Sequence, residues 1–150
     1  MPQQETGSRR ARDVMTPNPA SVSEKDSIRD VAKIMAREDT GVVPVCDGKK
    51  VIGMITDRDI VVRLVAEGKD PANARVKEAM SKQVRAVKED TPVTDVLQLM
   101  SSAQIRRVPV TNANDELVGI VSIGDIASEA KQPGQVGKTV EKISDAPPNN

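Results

Sequence analysis

Apolar residues recur with the period of an amphipathic helix in two separate stretches of the chain. Both stretches show the i, i+3, i+4, i+7 spacing that places apolar side chains on one helix face. Their apolar positions are Ile28, Val31, Ala32 and Met35 in the first stretch, and Val93, Val96, Leu97 and Met100 in the second. Asp26 or Ser27 is the candidate N-cap of the first helix. Thr91 is the candidate N-cap of the second, with Pro92 at its first helical position.

After each predicted helix, two runs rich in β-branched residues flank a polar turn. The runs are residues 42–45 and 51–55 in the first half of the chain, and residues 107–110 and 117–121 in the second half. Such pairs of runs predict β-hairpins. Pro44 and Pro109 have no backbone N–H to donate, so we expect each of them at a sheet edge or a strand end.

A short strand before these elements and a second helix after them complete each half of the chain. The short strands are expected at residues 20–22 and 85–87, and the second helices at residues 57–67 and 124–130. The order in each half is therefore β-α-β-β-α. This mixture of helices and hairpins predicts a fold of the α/β (α+β) class.

The two halves of the chain are copies of one unit. At a shift of 65 positions, and of 66 after one extra residue in the second turn, similar residues fall into register. Aligned pairs include Met15 with Met80, Pro44 with Pro109, Gly53 with Gly119, Thr56 with Ser122 and Asp59 with Asp125. Because the order is kept over about fifty positions, the pattern indicates internal duplication.

The small size of the repeated unit predicts how the copies are arranged. A unit of about fifty residues cannot bury enough apolar surface alone. We therefore predict two β-α-β-β-α repeats, residues 10–67 and 75–130, packed together with pseudo-twofold symmetry. Residues 1–9 and 131–150 are expected to form loose tails. Because the chain has no aromatic residue, the core must consist of Val, Ile, Leu and Met.

The composition argues against several classes of function. The chain has no His, Trp, Tyr or Phe, and its single cysteine is Cys46. Without His there is no imidazole general base and no His-based metal site, so we expect neither an enzyme nor a metal centre. The 22 basic and 22 acidic residues give zero net charge, which together with the lack of aromatic residues disfavours nucleic-acid binding. No apolar run approaches the roughly 20 residues that span a bilayer, and no secretory signal precedes the repeats, so we expect a cytoplasmic protein without a membrane partner.

Polar residues interrupt the apolar pattern where the second hairpin strand of each repeat passes into a helix. Thr56 is followed three residues later by Asp59, and Ser122 by Asp125. A hydroxyl and a carboxylate at this position can bind a phosphate oxygen and the hydroxyls of a ribose. Arg58 adds a guanidinium that can pair with phosphate. The same Ser/Thr-x-x-Asp spacing is also that of a capping box, so these residues alone leave a purely structural role open.

Longer patterns around these junctions resemble a known family. The first copy reads Val-Met-Thr-Pro, Val-Val-Pro-Val and Ile-Gly-Met-Ile-Thr-Asp-Arg-Asp-Ile, and the second reads Ala-Met-Ser, Arg-Arg-Val-Pro-Val and Val-Gly-Ile-Val-Ser-Ile-Gly-Asp-Ile. Over residues 10–130 the chain resembles a tandem cystathionine-β-synthase (CBS) domain pair, also called a Bateman module. It is similar in particular to small stand-alone bacterial CBS-pair proteins, including those of the hypoxic-response type.

The resemblance implies a set of ligand-binding residues. Clefts between the two copies would hold an adenine nucleotide or a related adenosyl molecule as a regulatory ligand, with no cofactor required. In the family, the helix-start Asp contacts ribose and the Ser/Thr three residues before it contacts phosphate. Thr16 and Ser81 would contribute hydroxyls, and backbone groups near Ala20, Val42, Arg85 and Arg107 would edge the adenine. One implied cleft combines Thr16, Ala20 and Val42 with Ser122 and Asp125, and the other combines Ser81, Arg85 and Arg107 with Thr56, Arg58 and Asp59.

Taken together, the residues and the resemblance predict a non-enzymatic module that senses AMP, ADP or ATP. It would act as a homodimer associated through its helices and would signal to a downstream protein. We expect the cleft with Arg58 to bind more tightly, because Gly124 takes that place in the other copy. One alternative is a ligand-free scaffold in which Thr56 and Ser122 only cap helices. A less favoured alternative is a nucleic-acid binder.

Overall fold

The computed structural model describes residues 9–129 of the 150-residue chain. Within this part there are two compact units, one formed by residues 9–19 and 85–129 and the other by residues 20–84. Both units contain helices and a hairpin, which confirms the predicted α+β class. Apart from Arg9, the residues predicted to form loose tails lie outside the described residues.

The order of elements follows the predicted repeat. In chain order they are α1 (Ala11–Val14), β1 (Thr16–Pro17), α2 (Ile28–Glu38), β2 (Val42–Asp47), β3 (Lys50–Thr56), α3 (Asp57–Ile60), β4 (Val87–Lys88), α4 (Val93–Ala103), β5 (Arg107–Thr111), β6 (Leu117–Ser122) and α5 (Ile123–Glu129). A π-helical turn at Val61–Val65 continues α3, and a 3-10 turn lies at Val76–Glu78. Among residues 9–129, no helix is long and apolar enough to cross a membrane.

The unit formed by residues 9–19 and 85–129 contains a four-stranded sheet in the order β1-β6-β5-β4. Strands β5 and β6 form the predicted antiparallel hairpin, β4 runs parallel to β5, and β1 runs antiparallel to β6. Aliphatic side chains fill its core, including Val93, Val96, Leu97, Met100, Val108, Val110, Val121 and Ile126. The apolar stripe predicted for α4 is therefore the face that packs inward.

The unit formed by residues 20–84 is built around the β2-β3 hairpin. Two isolated bridges extend this hairpin, one between Val22 and Val45 and one between Met54 and Ser81. Its core includes Val22, Ile28, Val31, Val43, Val45, Ile55, Leu64, Val76 and Met80. In both units, branched aliphatic residues and Met supply the bulk of the core, as the composition predicted.

Each compact unit combines the body of one sequence repeat with the segment that begins the other repeat. We call residues 9–17 and 74–81 the leading segments. Three backbone hydrogen bonds hold the first leading segment: Val93 N–H to Arg9 O (2.9 Å), Ala11 N–H to Thr91 O (2.8 Å) and Arg12 N–H to Glu89 O (3.0 Å). Three equivalent bonds hold the second: Ile28 N–H to Ala74 O (3.0 Å), Val76 N–H to Asp26 O (2.9 Å) and Lys77 N–H to Glu24 O (3.0 Å). Since the 65-position shift relates the two sets, both leading segments dock by the same bonds. The compact units therefore have different boundaries from the sequence repeats.

The two long helices begin differently. Of the two candidates Asp26 and Ser27, it is Ser27 that caps α2, because its Oγ accepts a hydrogen bond of 3.1 Å from the Asp30 N–H. The prediction of Thr91 as the cap of α4 is wrong, since Pro92 takes the N-cap position and no side chain among residues 9–129 caps this helix. The Thr91 N–H instead donates to the Lys88 carbonyl at 3.0 Å, so Thr91 closes the preceding turn.

Three other predicted elements have different bounds in the structure. The strand expected at residues 20–22 is reduced to the bridge at Val22, and the strand expected at residues 85–87 is displaced to β4. The helix expected at residues 57–67 is α3 followed by the π-helical turn, in which the Ala66 N–H donates to the Val61 carbonyl at 2.8 Å. A π-helical turn of five residues is too short to show a period of its own, so periodicity could not reveal it.

Both strand prolines lie inside their strands, Pro44 in β2 and Pro109 in β5. The predicted edge position is correct for Pro44, because β2 is an edge of its two-stranded sheet, and wrong for Pro109, because β5 lies between β6 and β4. The Pro44 carbonyl accepts a bond of 3.0 Å from the Val22 N–H. Because the nitrogen and the carbonyl of one strand residue share a strand edge, the nitrogen of Pro44 also faces the short Val22 bridge. Its missing N–H therefore costs the hairpin no hydrogen bond.

Candidate functional site

The junction between β3 and α3 is built as a reciprocal capping box. The Asp59 N–H donates to Thr56 Oγ1 at 3.0 Å, and the Thr56 N–H donates to Asp59 Oδ2 at 2.9 Å. These two bonds hold the carboxylate against the end of β3. The Asp59 side chain is 18% exposed, so a ligand in solution can still reach it.

The junction between β6 and α5 has the same construction. The Asp125 N–H donates to Ser122 Oγ at 3.0 Å, and the Ser122 N–H donates to Asp125 Oδ2 at 3.1 Å. Both residues are half-buried. The capping role that the spacing left open is therefore present in both repeats.

The caps leave part of each junction available to a ligand. Within residues 9–129, the hydroxyls of Thr56 and Ser122 each accept one hydrogen bond and donate none. A hydroxyl proton therefore remains for other partners at both junctions. The second carboxylate oxygen, Oδ1, is outside both capping boxes, although Asp59 Oδ1 lies 4.0 Å from Arg63 Nε. A hydroxyl donor suits a phosphate oxygen, and a carboxylate oxygen suits ribose hydroxyls. Capping and ligand binding are compatible roles for the same pair of residues.

The hydroxyl residue Thr16 lies in the same unit as the second junction. Thr16 in β1 pairs with Ile120 in β6, two residues before Ser122. The end of the first leading segment, β1, thus pairs with the strand that ends in the Ser122–Asp125 cap. The structure brings together Thr16, Ser122 and Asp125 within one compact unit, and the Thr16 side chain is exposed.

Ser81 occupies the equivalent place in the other unit. The Ser81 N–H donates to the Met54 carbonyl at 2.8 Å, and the Met54 N–H donates to the Ser81 carbonyl at 2.9 Å. Met54 lies two residues before Thr56 in β3. The second leading segment thus runs beside the strand that ends in the Thr56–Asp59 cap.

Two glycines make room for the leading segments. A Cβ atom on Gly53 would overlap the terminal methyl of Met80 and lie 2.5 Å from the Ser81 carbonyl oxygen. A Cβ atom on Gly119 would overlap Met15 Sδ and lie 2.7 Å from Met15 Cγ. These two glycines are aligned by the shift that relates the repeats, but the sequence alone did not indicate a role for them. The available signal was an isolated glycine inside a β-branched run, which marks close approach of another backbone.

Arg58 gives the first junction a positive charge. It is exposed, and its side chain makes no hydrogen bond or ion pair with any other residue between 9 and 129. Its guanidinium is therefore available to a phosphate group. Gly124 takes this place at the second junction, so the two junctions differ in charge.

Val42 and Arg107 lie directly across a hairpin from the capping hydroxyls. Val42 in β2 pairs with Thr56, and Arg107 in β5 pairs with Ser122. Both residues are half-buried. Each thus belongs to the same compact unit as the junction it faces.

Ala20 and Arg85 lie where the chain passes from one compact unit to the other. Ala20 is half-buried and Arg85 is exposed. Two predicted groupings join residues of different units and stay predictions. One combines Ala20 and Val42 with Ser122 and Asp125, and the other combines Arg85 and Arg107 with Thr56, Arg58 and Asp59.

Arg63 is a residue beside the first junction that the sequence did not single out. Its Nη1 donates to the carbonyls of Ala79 and Met80 at 3.0 and 2.9 Å. Its Nε lies 4.0 Å from Asp59 Oδ1. The spacing of four residues from Asp59 is that of a helical ion pair and could have drawn attention to it. The two carbonyl contacts are non-local and leave no sequence signal.

Cys46 is a buried strand residue and has no sign of reactivity. It lies within β2 rather than after the strand, and it is 5% exposed. Burial raises the pKa of its thiol, and a hydrogen bond with Ser21 acts in the opposite direction. Because the thiolate is the reactive form, this environment suits packing rather than chemistry.

Comparison with family models decides the family. The model described as CBS domain matches residues 11–66 and, a second time, residues 76–131. This chain belongs to the CBS domain family. The two matches confirm the resemblance of the sequence to a tandem CBS pair.

Two curated relatives are similar over most of their length. CBS domain-containing protein YhcV of Bacillus subtilis (strain 168) is 36% identical over 133 residues, which cover 89% of this chain and 94% of the relative. Hypoxic response protein 1 of Mycobacterium tuberculosis (strain ATCC 25618 / H37Rv) is 37% identical over 118 residues, which cover 78% of this chain and 82% of the relative. The second relative is of the hypoxic-response type that the sequence resembles.

Two solved structures share the fold. The crystal structure of Hypoxic Response Protein I with two coordinated zinc ions has a TM-score of 0.74 and 36% identity, covering 81% of this chain and 98% of that one. The CBS domain pair of protein MJ0100, in complex with 5′-methylthioadenosine and S-adenosyl-L-methionine, has a TM-score of 0.70 and 30% identity, covering 80% and 94%. This chain has no His, and in its described part no three His, Cys, Asp or Glu residues are grouped to hold a metal ion.

Proposed function

We propose that this chain is a non-catalytic regulatory module that binds AMP, ADP, ATP or a related adenosyl ligand. The CBS pair of MJ0100, at 30% identity, is in complex with two adenosyl ligands. The observation in this chain that carries the proposal is a feature present in both compact units. Each compact unit holds a fixed, partly accessible carboxylate beside a hydroxyl that donates no bond within residues 9–129.

The proposed residue roles follow from the chemistry of each side chain. Carboxylates accept hydrogen bonds from ribose hydroxyls, and hydroxyls and guanidinium groups donate to phosphate oxygens. We assign Asp59 and Asp125 to ribose, Thr56 and Ser122 to phosphate, Thr16 and Ser81 to further hydroxyl contacts, Arg58 to phosphate charge, and Ala20, Val42, Arg85 and Arg107 to the adenine edge. Because the chain has no aromatic residue, aliphatic side chains must flank the adenine ring.

The two sites are proposed to differ in affinity. The guanidinium of Arg58 has no partner among the described residues, whereas Gly124 offers no side chain at the other junction. A charge-assisted contact to phosphate stabilises a complex more than a neutral one. The first site is therefore proposed to bind more tightly, and increasingly so from AMP to ATP.

We also propose that the module works as a homodimer associated through its helices. On the helical segment that follows α3, Val61, Val62 and Val65 are 56%, 47% and 54% exposed. Grouped exposed apolar side chains are typical of a surface that another helix covers. Ligand binding would then favour one arrangement of the dimer, provided that this arrangement binds the ligand more tightly. A downstream protein would read that arrangement.

A ligand-free scaffold is the second candidate. It is favoured by the completeness of the capping boxes, which explain Thr56 and Ser122 without any ligand. A scaffold predicts that nucleotides leave the protein unchanged.

Thermal unfolding with and without nucleotide separates the two candidates. A ligand at 100 times its Kd raises the free energy of unfolding by about 2.7 kcal/mol, which moves the midpoint by several degrees. Circular dichroism is the suitable probe, because the chain has neither Trp nor Tyr for fluorescence. We expect stabilisation by AMP or ATP but not by GMP at the same concentration. An unchanged midpoint with every adenine nucleotide would favour the scaffold.

A further inference from the structure

Arg63 joins the two parts of the first site that belong to different repeats in the sequence. One Nη1 atom donates to two successive carbonyls, Ala79 at 3.0 Å and Met80 at 2.9 Å. These carbonyls directly precede Ser81 in the second leading segment. On the same guanidinium, Nε lies 4.0 Å from Asp59 Oδ1, the carboxylate oxygen that the capping box does not use.

We propose that Arg63 is the positioning residue that makes the first site selective for a ribonucleotide. Its guanidinium is held by the two carbonyls before Ser81 and places a positive charge 4.0 Å from Asp59 Oδ1. This inference rests on the proposed function, because it concerns the proposed ribose contact of Asp59. Arg63 lies outside the Ser/Thr-x-x-Asp junction, and in this role it determines ribose selectivity without contacting the ligand itself.

The geometry gives this role a physical basis. The capping box holds Asp59 through Oδ2 alone, so the direction of Oδ1 depends on what faces it. The positive charge of Arg63 attracts Oδ1, while the two carbonyl bonds prevent the guanidinium from turning away. An arginine suits this position because its planar fork donates in several fixed directions at once.

The second site has no such arrangement in sequence. The position equivalent to Arg63 is Glu129, whose carboxylate cannot donate to a carbonyl. The equivalent carbonyls belong to Val14 and Met15. Selectivity set by Arg63 is therefore expected at the first site alone.

The test compares AMP with 2′-deoxy-AMP in an Asp125→Asn background, in which only the first site retains its ribose carboxylate. Affinities are measured by isothermal titration for this background protein, for Arg63→Gln, for Arg63→Lys and for the control Arg29→Gln. Arg29 is exposed on α2, and its side chain has no hydrogen bond or ion pair with the described residues. Circular dichroism establishes that each variant is folded.

We expect the background protein to prefer AMP by about tenfold, as a hydrogen bond to a charged group implies. Arg63→Gln should reduce this preference to about twofold or less, Arg63→Lys should retain an intermediate preference, and Arg29→Gln should not change it. A purely structural role would weaken both ligands equally and leave their ratio unchanged. An unchanged ratio in folded Arg63→Gln, or in Arg63→Lys if the Gln variant does not fold, overturns this inference and leaves the proposed function standing. If the parent binds neither ligand, the proposed function is wrong and this inference fails with it.

Discussion

Replacing Gly53 with alanine should loosen the second leading segment from β3. The added Cβ would lie 2.5 Å from the carbonyl oxygen of Ser81, where ordinary contact begins near 3.4 Å. Ser81 would therefore have to move by about 0.9 Å. The movement strains both hydrogen bonds between Ser81 and Met54, which are 2.8 and 2.9 Å long.

The cost follows from these two bonds. A backbone hydrogen bond contributes about 0.5–1.5 kcal/mol net, so weakening two of them costs about 1–3 kcal/mol. The alanine reduces the entropy of the unfolded chain, which offsets about 0.4–1 kcal/mol. We expect Gly53→Ala to lower the free energy of unfolding by about 1–2 kcal/mol, and to weaken AMP binding at the first site because Ser81 is displaced.

Gly119→Ala is the matched control in the other repeat. The nearest atoms to its added Cβ all belong to the Met15 side chain. A change of the Met15 rotamer moves Sδ and Cγ away, and only Met15 Cβ, at 3.0 Å, must shift with the backbone, so the cost should be smaller than at Gly53, where a carbonyl oxygen lies at 2.5 Å.

Urea unfolding followed by far-ultraviolet circular dichroism measures both variants, and hydrogen exchange of the Ser81 amide locates the effect. We expect faster exchange at Ser81 in Gly53→Ala alone. A Gly53→Ala protein as stable as the parent, or a Gly119→Ala protein that loses as much, would refute the argument that close backbone approach requires Gly53.

Three further predictions test other parts of the structure. Asp59→Asn should weaken AMP binding at the first site by about 1.5–3 kcal/mol, measured by titration calorimetry, whereas Asp57→Asn on the exposed side of the same junction should not; equal losses would contradict the ribose assignment. Deletion of residues 1–17 should speed amide hydrogen exchange in α4, β5 and β6 but not in α2 and β2, since the first leading segment docks on the former elements. An equal increase in all five elements would contradict the assignment of this segment to the unit of the other repeat. Burial raises the pKa of the Cys46 thiol above its ordinary value of 9.0. Its contribution to stability is complete below pH 9.0, where the thiol is protonated in both the folded and the unfolded state, and is lost as pH rises through the folded-state pKa. Cys46→Ala should therefore flatten the decline of unfolding free energy above pH 9.0, and an unchanged slope would show that other groups cause it.

Local patterns predicted the larger elements correctly. Of the apolar stripe predicted for α2, Ile28 and Val31 are buried and Met35 is half-buried, whereas Ala32 is exposed; the β-branched runs form both hairpins. These features depend on residues close in sequence, for which period and turn chemistry are informative. The boundary at Thr91 was wrong because a turn residue and an N-cap have the same preference for a hydroxyl side chain.

The parts that the sequence could not predict depend on contacts between distant residues. The duplication predicted two equivalent junctions, and the family resemblance grouped Thr16 with Ser122. Neither showed that each leading segment belongs to the compact unit of the other repeat. Likewise, the contacts of Arg63 with the carbonyls of Ala79 and Met80 join residues 16 and 17 positions apart, with no pattern between them.

Equilibrium dialysis of AMP tests the proposed function most directly. The chain has no Trp, Tyr or Phe, so absorbance at 260 nm in the protein chamber reports bound nucleotide with little protein background. The proposed function predicts saturable uptake of AMP by the parent, and loss of that uptake in the folded Asp59→Asn/Asp125→Asn double variant. Equal AMP concentrations in both chambers, or undiminished uptake by the double variant, would contradict it.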